Sequence, residues 1–182
     1  MICQACGGHN TEECQALARC GYTRDMFNLV LPIRFGLLQL RDPDMFDWLM
    51  QSMDHTAERN KNDEMRQSTD RMTSLLSSAL SNVSKELAWK IVGILFTNCF
   101  EFNIRDIDAR ALYPLVSLVN HSCIPNMRHT NLLNNLETLK NSDDDDDEDG
   151  DGEIVVMQLE AQRTILPGTE LSIRYNDYMM VC

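Results

Sequence analysis

The chain has 182 residues, 43% hydrophobic and 24% charged, which suits one or one and a half globular domains with a buried core. Its net charge is −12, but nine acids lie between Asp143 and Glu153, and without them the remainder carries only −3. A nearly neutral body without a basic face argues against direct nucleic-acid binding. No apolar run reaches the roughly 18 residues of a membrane span and no secretory-signal pattern opens the chain, which predicts an intracellular protein, nuclear or cytoplasmic, away from membranes.

Residues 1–20 are rich in cysteine. Cys3, Cys6, His9 and Cys14, with Cys20 as a spare, offer four ligands of the type that holds Zn²⁺ tetrahedrally, and such a metal can organise a segment with little core of its own. Residues 21–41 read as a connecting segment or strand. From 42 to 97 the period is helical. Asp42 and Pro43 form an N-cap and a first-turn proline, followed by Phe46, Leu49, Met50 and Met53 on one stripe. Met72, Leu75, Leu76 and Ala79 repeat that spacing, and Ser84 caps a third helix carrying Leu87, Ile91, Ile94 and Leu95. The eleven methionines read mostly as adaptable core filler.

Beyond Phe100, short apolar runs broken by Asn, Pro and Gly indicate a small irregular sheet, so the chain reads as α+β. Residues 141–153 are a solvated acidic loop whose like charges repel, inserted between two strands and suited to a basic protein partner. An EF-hand register fails because Val156 stands where a bidentate Glu is required. Pro167 and Gly168 fit a type II turn, after which Leu171, Ile173 and Tyr175 alternate onto one face; Ile154 to Ala161 is the expected antiparallel partner before that turn.

Two stretches carry the most information: Leu112 to Asn126, LYPLVSLVNHSCIPN, and Leu171 to Asp177, LSIRYND. Together with GILFTNCFEF at residues 93–102, they resemble the catalytic half of SET domains, specifically the SET-and-MYND domain family in its arthropod SmydA-like form. The resemblance implies a SET-type β core over residues 98–182, a helical insertion over 42–97 and an N-terminal MYND-like zinc-module remnant. It implies an S-adenosylmethionine-dependent protein-lysine methyltransferase with histone tails as the default acceptor. The Asn120 side chain would hold the amino-acid end of the cofactor, the His121 backbone would meet the adenine edge, and the Tyr175 hydroxyl would sit beside the target amine. In this family the cysteine of Asn-His-Ser-Cys can join a zinc site completed by a later Cys cluster. Only Cys182 follows Cys123 here, so Cys123 is expected as a buried thiol. A Gly-x-Gly cofactor turn is also absent, as expected of a chain truncated at both ends, and the alternative reading is a non-catalytic scaffold that recruits protein partners.

The chemistry of such a site is demanding. Only a neutral lysine amine carries the lone pair needed to attack a methyl group. With a reference pKa of about 10.4, forming it at pH 7 costs roughly 4.6 kcal/mol. Burial in an apolar channel and a neighbouring positive sulfonium both lower that cost by disfavouring the ammonium.

Overall fold

The computed structural model describes residues 11–21, 26–104, 107–135 and 153–175, which fall into two compact units, Met1–Cys99 and Phe100–Cys182. The first unit is helical: α1 (Thr11–Arg19), α2 (Met26–Arg41), α3 (Pro43–Leu49), α4 (Thr56–Arg59), α5 (Asp63–Ala79) and α6 (Lys85–Asn98). Local chemistry sets three of the starts. The Asp42 carboxylate accepts from the Met45 N–H at 3.0 Å with Pro43 in the first turn, Asn62 Oδ1 accepts from Met65 at 3.0 Å, and Ser84 Oγ accepts from Leu87 at 3.2 Å.

Residues 21–41, expected as a connecting segment or strand, instead contain helix α2. Leu29, Ile33, Phe35 and Leu37 are all buried, so its apolar residues run around the cylinder and hide the 3.6-residue period. Pro32 inside the helix further imitates a break. Gly36 permits a close approach, because a Cβ there would lie 2.5 Å from Leu80 Cδ1. The α3 stripe is also shorter than expected. The helix ends at Leu49, and Met53 is 65% exposed. Met45 and Met65 are exposed as well, so among these methionines the reading as core filler holds for Met72 and fails for the other three.

The stripes of α5 and α6 bury Met72, Leu76, Ala79, Ile91, Ile94 and Leu95 as expected from their spacing. Next to them lies a polar feature that spacing did not reveal. Arg59 is 1% exposed, with Nε donating to the Asp54 carbonyl at 2.9 Å and Nη2 donating to Thr56 Oγ1 at 3.0 Å. Its guanidinium lies 5.0 Å from the Trp89 ring centroid. Burial pushes the Arg59 pKa down from its ordinary value and the Asp54 charge opposes that shift. The group fits because residue 93 is glycine: a Cβ there would overlap the guanidinium and come 2.9 Å from the Asp54 carbonyl oxygen.

The second unit contains β1 (Cys99–Ile104), β2 (Ile107–Leu112), a 3-10 turn at Val116–Leu118, β3 (Asn120–His121), β4 (Met127–Asn135), β5 (Glu153–Ala161) and β6 (Ser172–Ile173). They form three two-stranded sheets: β1 with β2, β4 with β5, and β3 with β6. The expected pairing of 154–161 with 170–175 does not occur. β5 pairs antiparallel with β4 from Met127↔Ala161 to Asn135↔Glu153, while β6 runs parallel to β3. The turn itself is present, with Gly168 at φ 83° and the Thr169 N–H donating to the Leu166 carbonyl at 3.1 Å. It joins two strands that belong to different sheets. Leu171 is 44% exposed and Ile173 fully buried, so the continuous apolar face expected there is absent. Strands β4 and β5 flank the acid run, most of which lies outside the described residues.

Candidate functional site

The site is built on the parallel β3–β6 pair, which sets Asn120 opposite Ser172 and His121 opposite Ile173. The Ser122 N–H donates to the Ile173 carbonyl at 2.9 Å and extends the pairing by one step. Ile173 is fully buried and anchors the pair, whereas Asn120 and His121 are exposed along it. Residues more than fifty positions apart are thereby fixed side by side.

Tyr175 closes this arrangement from the end of β6. Its backbone N–H donates to His121 Nδ1 at 3.2 Å, and its hydroxyl donates to the Val119 carbonyl at 2.7 Å. The two rings lie 5.4 Å apart between centroids. Because Nδ1 accepts this bond, a neutral His121 carries its proton on Nε2, the atom 3.5 Å from Cys123 Sγ. Burial raises the Tyr175 phenol pKa above its ordinary value, so the hydroxyl stays protonated at neutral pH. Phe100 stands beside it at a centroid distance of 6.5 Å and also meets Tyr113 at 6.2 Å and His129 at 5.6 Å, forming an aromatic wall.

A second residue of the Asn-His-Ser-Cys-Ile-Pro-Asn stretch holds the frame together. Asn126 is 4% exposed, its Nδ2 donates to the Glu170 carbonyl at 2.8 Å, and its Oδ1 accepts from the Ser172 N–H at 2.9 Å. It therefore works as a backbone surrogate between the turn after β3 and the entry to β6. The Asn120 amide in turn donates to Glu170 Oε1 at 2.6 Å. Arg174 adds a bond from its guanidinium to the Cys123 carbonyl at 2.9 Å.

The structure thus brings Asn120, His121 and Tyr175 together, as the two sequence stretches suggested. Cys123 departs from expectation: it is exposed and disulfide-bonded rather than a buried thiol. Of the expected zinc ligands, Cys3, Cys6 and His9 lie outside the described residues, and Cys14 sits half-buried within α1, outside any disulfide. No cluster of three or more His, Cys, Asp or Glu able to hold a metal occurs among the described residues. Asn126, Glu170, Phe100 and the Val119 carbonyl were not singled out from the sequence. A signal existed for Asn126, the Pro-Asn pair closing its stretch, and for Glu170, the first acid after the Pro167–Gly168 turn.

The geometry gathers exposed polar groups, a neutral phenol and an aromatic wall from stretches between Phe100 and Tyr175. The SET domain family model matches residues 10–176. No curated protein matches the chain.

Proposed function

We propose, from the premise that this chain belongs to the SET domain family, that it is a protein-lysine methyltransferase using S-adenosylmethionine, with β3 and Tyr175 as its site. Members of the family are typically lysine methyltransferases that use this cofactor. The observation that carries the reading is the double hold on Tyr175, through its N–H to His121 Nδ1 and through its hydroxyl to the Val119 carbonyl.

The residues present fit the cofactor's chemistry. Asn120 is exposed on a strand fixed by a buried neighbour, and among the described residues its Oδ1 has no partner. Asn120 would hold the amino-acid end and the His121 backbone the adenine edge, in keeping with the resemblance to SET-and-MYND proteins. When bound, S-adenosylmethionine supplies a methyl group on a positively charged sulfonium. Tyr175 contributes position rather than proton abstraction. Its single proton is committed to the Val119 carbonyl, so its remaining lone pairs accept from an amine N–H and orient the nitrogen. A phenol with a raised pKa is a poor source of phenolate, which argues against a general-base role. Being 44% exposed, the ring is open to an incoming side chain.

Histone tails are the proposed acceptor class, supported by the acid run between Asp143 and Glu153, whose charge attracts basic tails. The SET-and-MYND reading with a zinc-holding head has the spacing of Cys3, Cys6, His9 and Cys14 as its support. The second reading is a SET scaffold that recruits protein partners without catalysis; Leu115, Leu118 and Ile124, 66% to 79% exposed around β3, favour it as contact surface. Calorimetric titration with S-adenosylmethionine separates the two. Saturable heat that Asn120→Ala weakens supports the enzyme, and absence of heat from a folded sample supports the scaffold.

A further inference from the structure

Two methionines expected as core filler, Met45 and Met53, lie on the surface of the helical unit in one stretch with two other exposed apolar side chains. Leu40 at the end of α2, Met45 and Trp48 on α3, and Met53 in the loop after α3 are 38% to 66% exposed. Helix α3 turns one side inward, where Phe46 and Leu49 are buried and the Phe46 ring meets Phe35 of α2 edge-on at 5.8 Å. Met45 and Trp48, three residues apart, share the flank that is left to solvent. Charge of one sign frames this flank. Asp42, Asp44 and Asp47 are exposed, Asp44 one turn before Trp48 and Asp47 directly preceding it, and residues 42–54 hold four aspartates and no lysine or arginine. The neighbouring cation, Arg41, is already engaged, with Nη2 2.7 Å from Glu12 Oε2 and Nη1 3.7 Å from Glu13 Oε1.

Adaptable apolar groups framed by negative charge match a ligand that is apolar along one stripe and positively charged beside it. We propose that the solvent flank of α3 is a docking surface for a basic amphipathic helix of a partner protein, with the apolar stripe of that helix on Met45, Trp48 and Met53 and its lysines or arginines against Asp42, Asp44 and Asp47. Trp48 is the anchor, the flexible methionines adapt to the apolar residues opposite, and the carboxylates reject acidic partners. The same charges repel an anionic lipid surface. A second copy of this chain brings an equally acidic α3, which opposes self-association through this flank. The surface belongs to the helical unit and is independent of methyl transfer, so its test leaves the proposed function untouched.

The test is calorimetric titration of the full chain, at low and at high salt, with a leucine-lysine peptide of about four turns patterned as an amphipathic helix. Two peptides of equal length serve as controls, one with serine in place of leucine and one with glutamate in place of lysine. Saturable binding is expected for the leucine-lysine peptide alone. Trp48→Ala weakens it about tenfold and Met53→Gln about threefold. Asp44→Asn together with Asp47→Asn weakens it about three- to tenfold at low salt and has little effect at high salt. The acid run between Asp143 and Glu153 is intact in every variant, so these losses report the α3 flank and not that run. All four positions are exposed, and unchanged circular dichroism spectra and melting temperatures check the fold; Met53→Gln, in the loop, keeps the test decisive if Trp48→Ala disturbs the helix. Equal affinities across the variants overturn the proposal, as does a serine peptide that binds as tightly as the leucine one, or no binding by the folded chain. Sedimentation showing a dimer that Trp48→Ala dissolves also overturns it, by assigning the flank to a second copy.

Discussion

Replacing Asn126 by alanine removes the side chain that ties the turn after β3 to the entry of β6. Three hydrogen bonds are lost: from Nδ2 to the Glu170 carbonyl at 2.8 Å, and to Oδ1 from the Ser172 N–H at 2.9 Å and from the Ser172 hydroxyl at a long 3.5 Å. Each is worth about 1 kcal/mol net, and more where the abandoned partner stays shielded from water, which gives a local destabilisation of about 2–3 kcal/mol. Trp48 and Trp89 both belong to the first unit, so tryptophan fluorescence follows that unit. Amide hydrogen exchange at Ser172 and Ser122 reports the lost bonds directly, because both N–H groups are bonded across the β3–β6 frame. In the alanine variant the Ser122 amide should exchange about thirty- to a hundredfold faster, the equivalent of that loss at 1.4 kcal/mol per decade. Asn126→Asp keeps the acceptor for Ser172 but sets a carboxylate oxygen against the Glu170 carbonyl and buries a charge, so protection at Ser122 should fall at least as far as in the alanine variant. Unchanged exchange at Ser122 in the alanine variant would show that the β3–β6 frame holds without the Asn126 clamp.

Gly93→Ala places a methyl group in the space of the Arg59 guanidinium and should destabilise the helical unit by about 1–3 kcal/mol, read by urea unfolding with Trp89 fluorescence; unaltered stability would contradict the close packing. Tyr113 and Tyr175 both have phenol pKa values raised by burial, so their folded forms hold the proton more tightly than the unfolded chain. The stability this contributes is complete below the ordinary tyrosine value of about 10 and is lost as pH rises above it toward the raised folded values. Ultraviolet titration should show tyrosinate absorbance with a late component that shrinks in Tyr175→Phe, and a titration identical in the two proteins would count against it. A zinc-holding head predicts about one zinc per chain by elemental analysis, lost in Cys3→Ser together with Cys6→Ser; metal-free protein as purified from zinc-supplemented medium would remove that reading.

What the sequence revealed divides along the line between local and distant chemistry. The starts of α3 and α6 were legible because a cap is settled within three residues, as Asp42 with Met45 and Ser84 with Leu87 show. In α6, Ile91, Ile94 and Leu95 of the expected stripe are buried together with Val92 and Gly93 beside them, whereas the buried face of α5 was legible because its other side meets solvent. Helix α2 was not, since burial on most sides erased the periodicity and Pro32 suggested a break. Strand partners were misread for a different reason. A short turn at Pro167–Gly168 looked like a hairpin, but β6 has only two residues, while the nine-residue β5 finds a nine-residue partner in β4 across the acid run. The two motif stretches pointed to Asn120, His121 and Tyr175, which β3 and the end of β6 set side by side. The groups that orient them, Asn126, Glu170 and the Val119 carbonyl, act through backbone atoms and partners some 44 to 56 positions away, which spacing does not display.

On the proposed function, the parallel β3–β6 pair presents Tyr175 to a lysine amine for methylation. Transfer of labelled methyl groups from S-adenosylmethionine to core histones, compared between wild type and Tyr175→Phe, tests it most directly. Measurable transfer is expected from the wild type and a loss of about a hundredfold in the variant, the scale of removing a positioning contact, with the amide exchange of Ser122 unchanged. Equal transfer by the two proteins would contradict it.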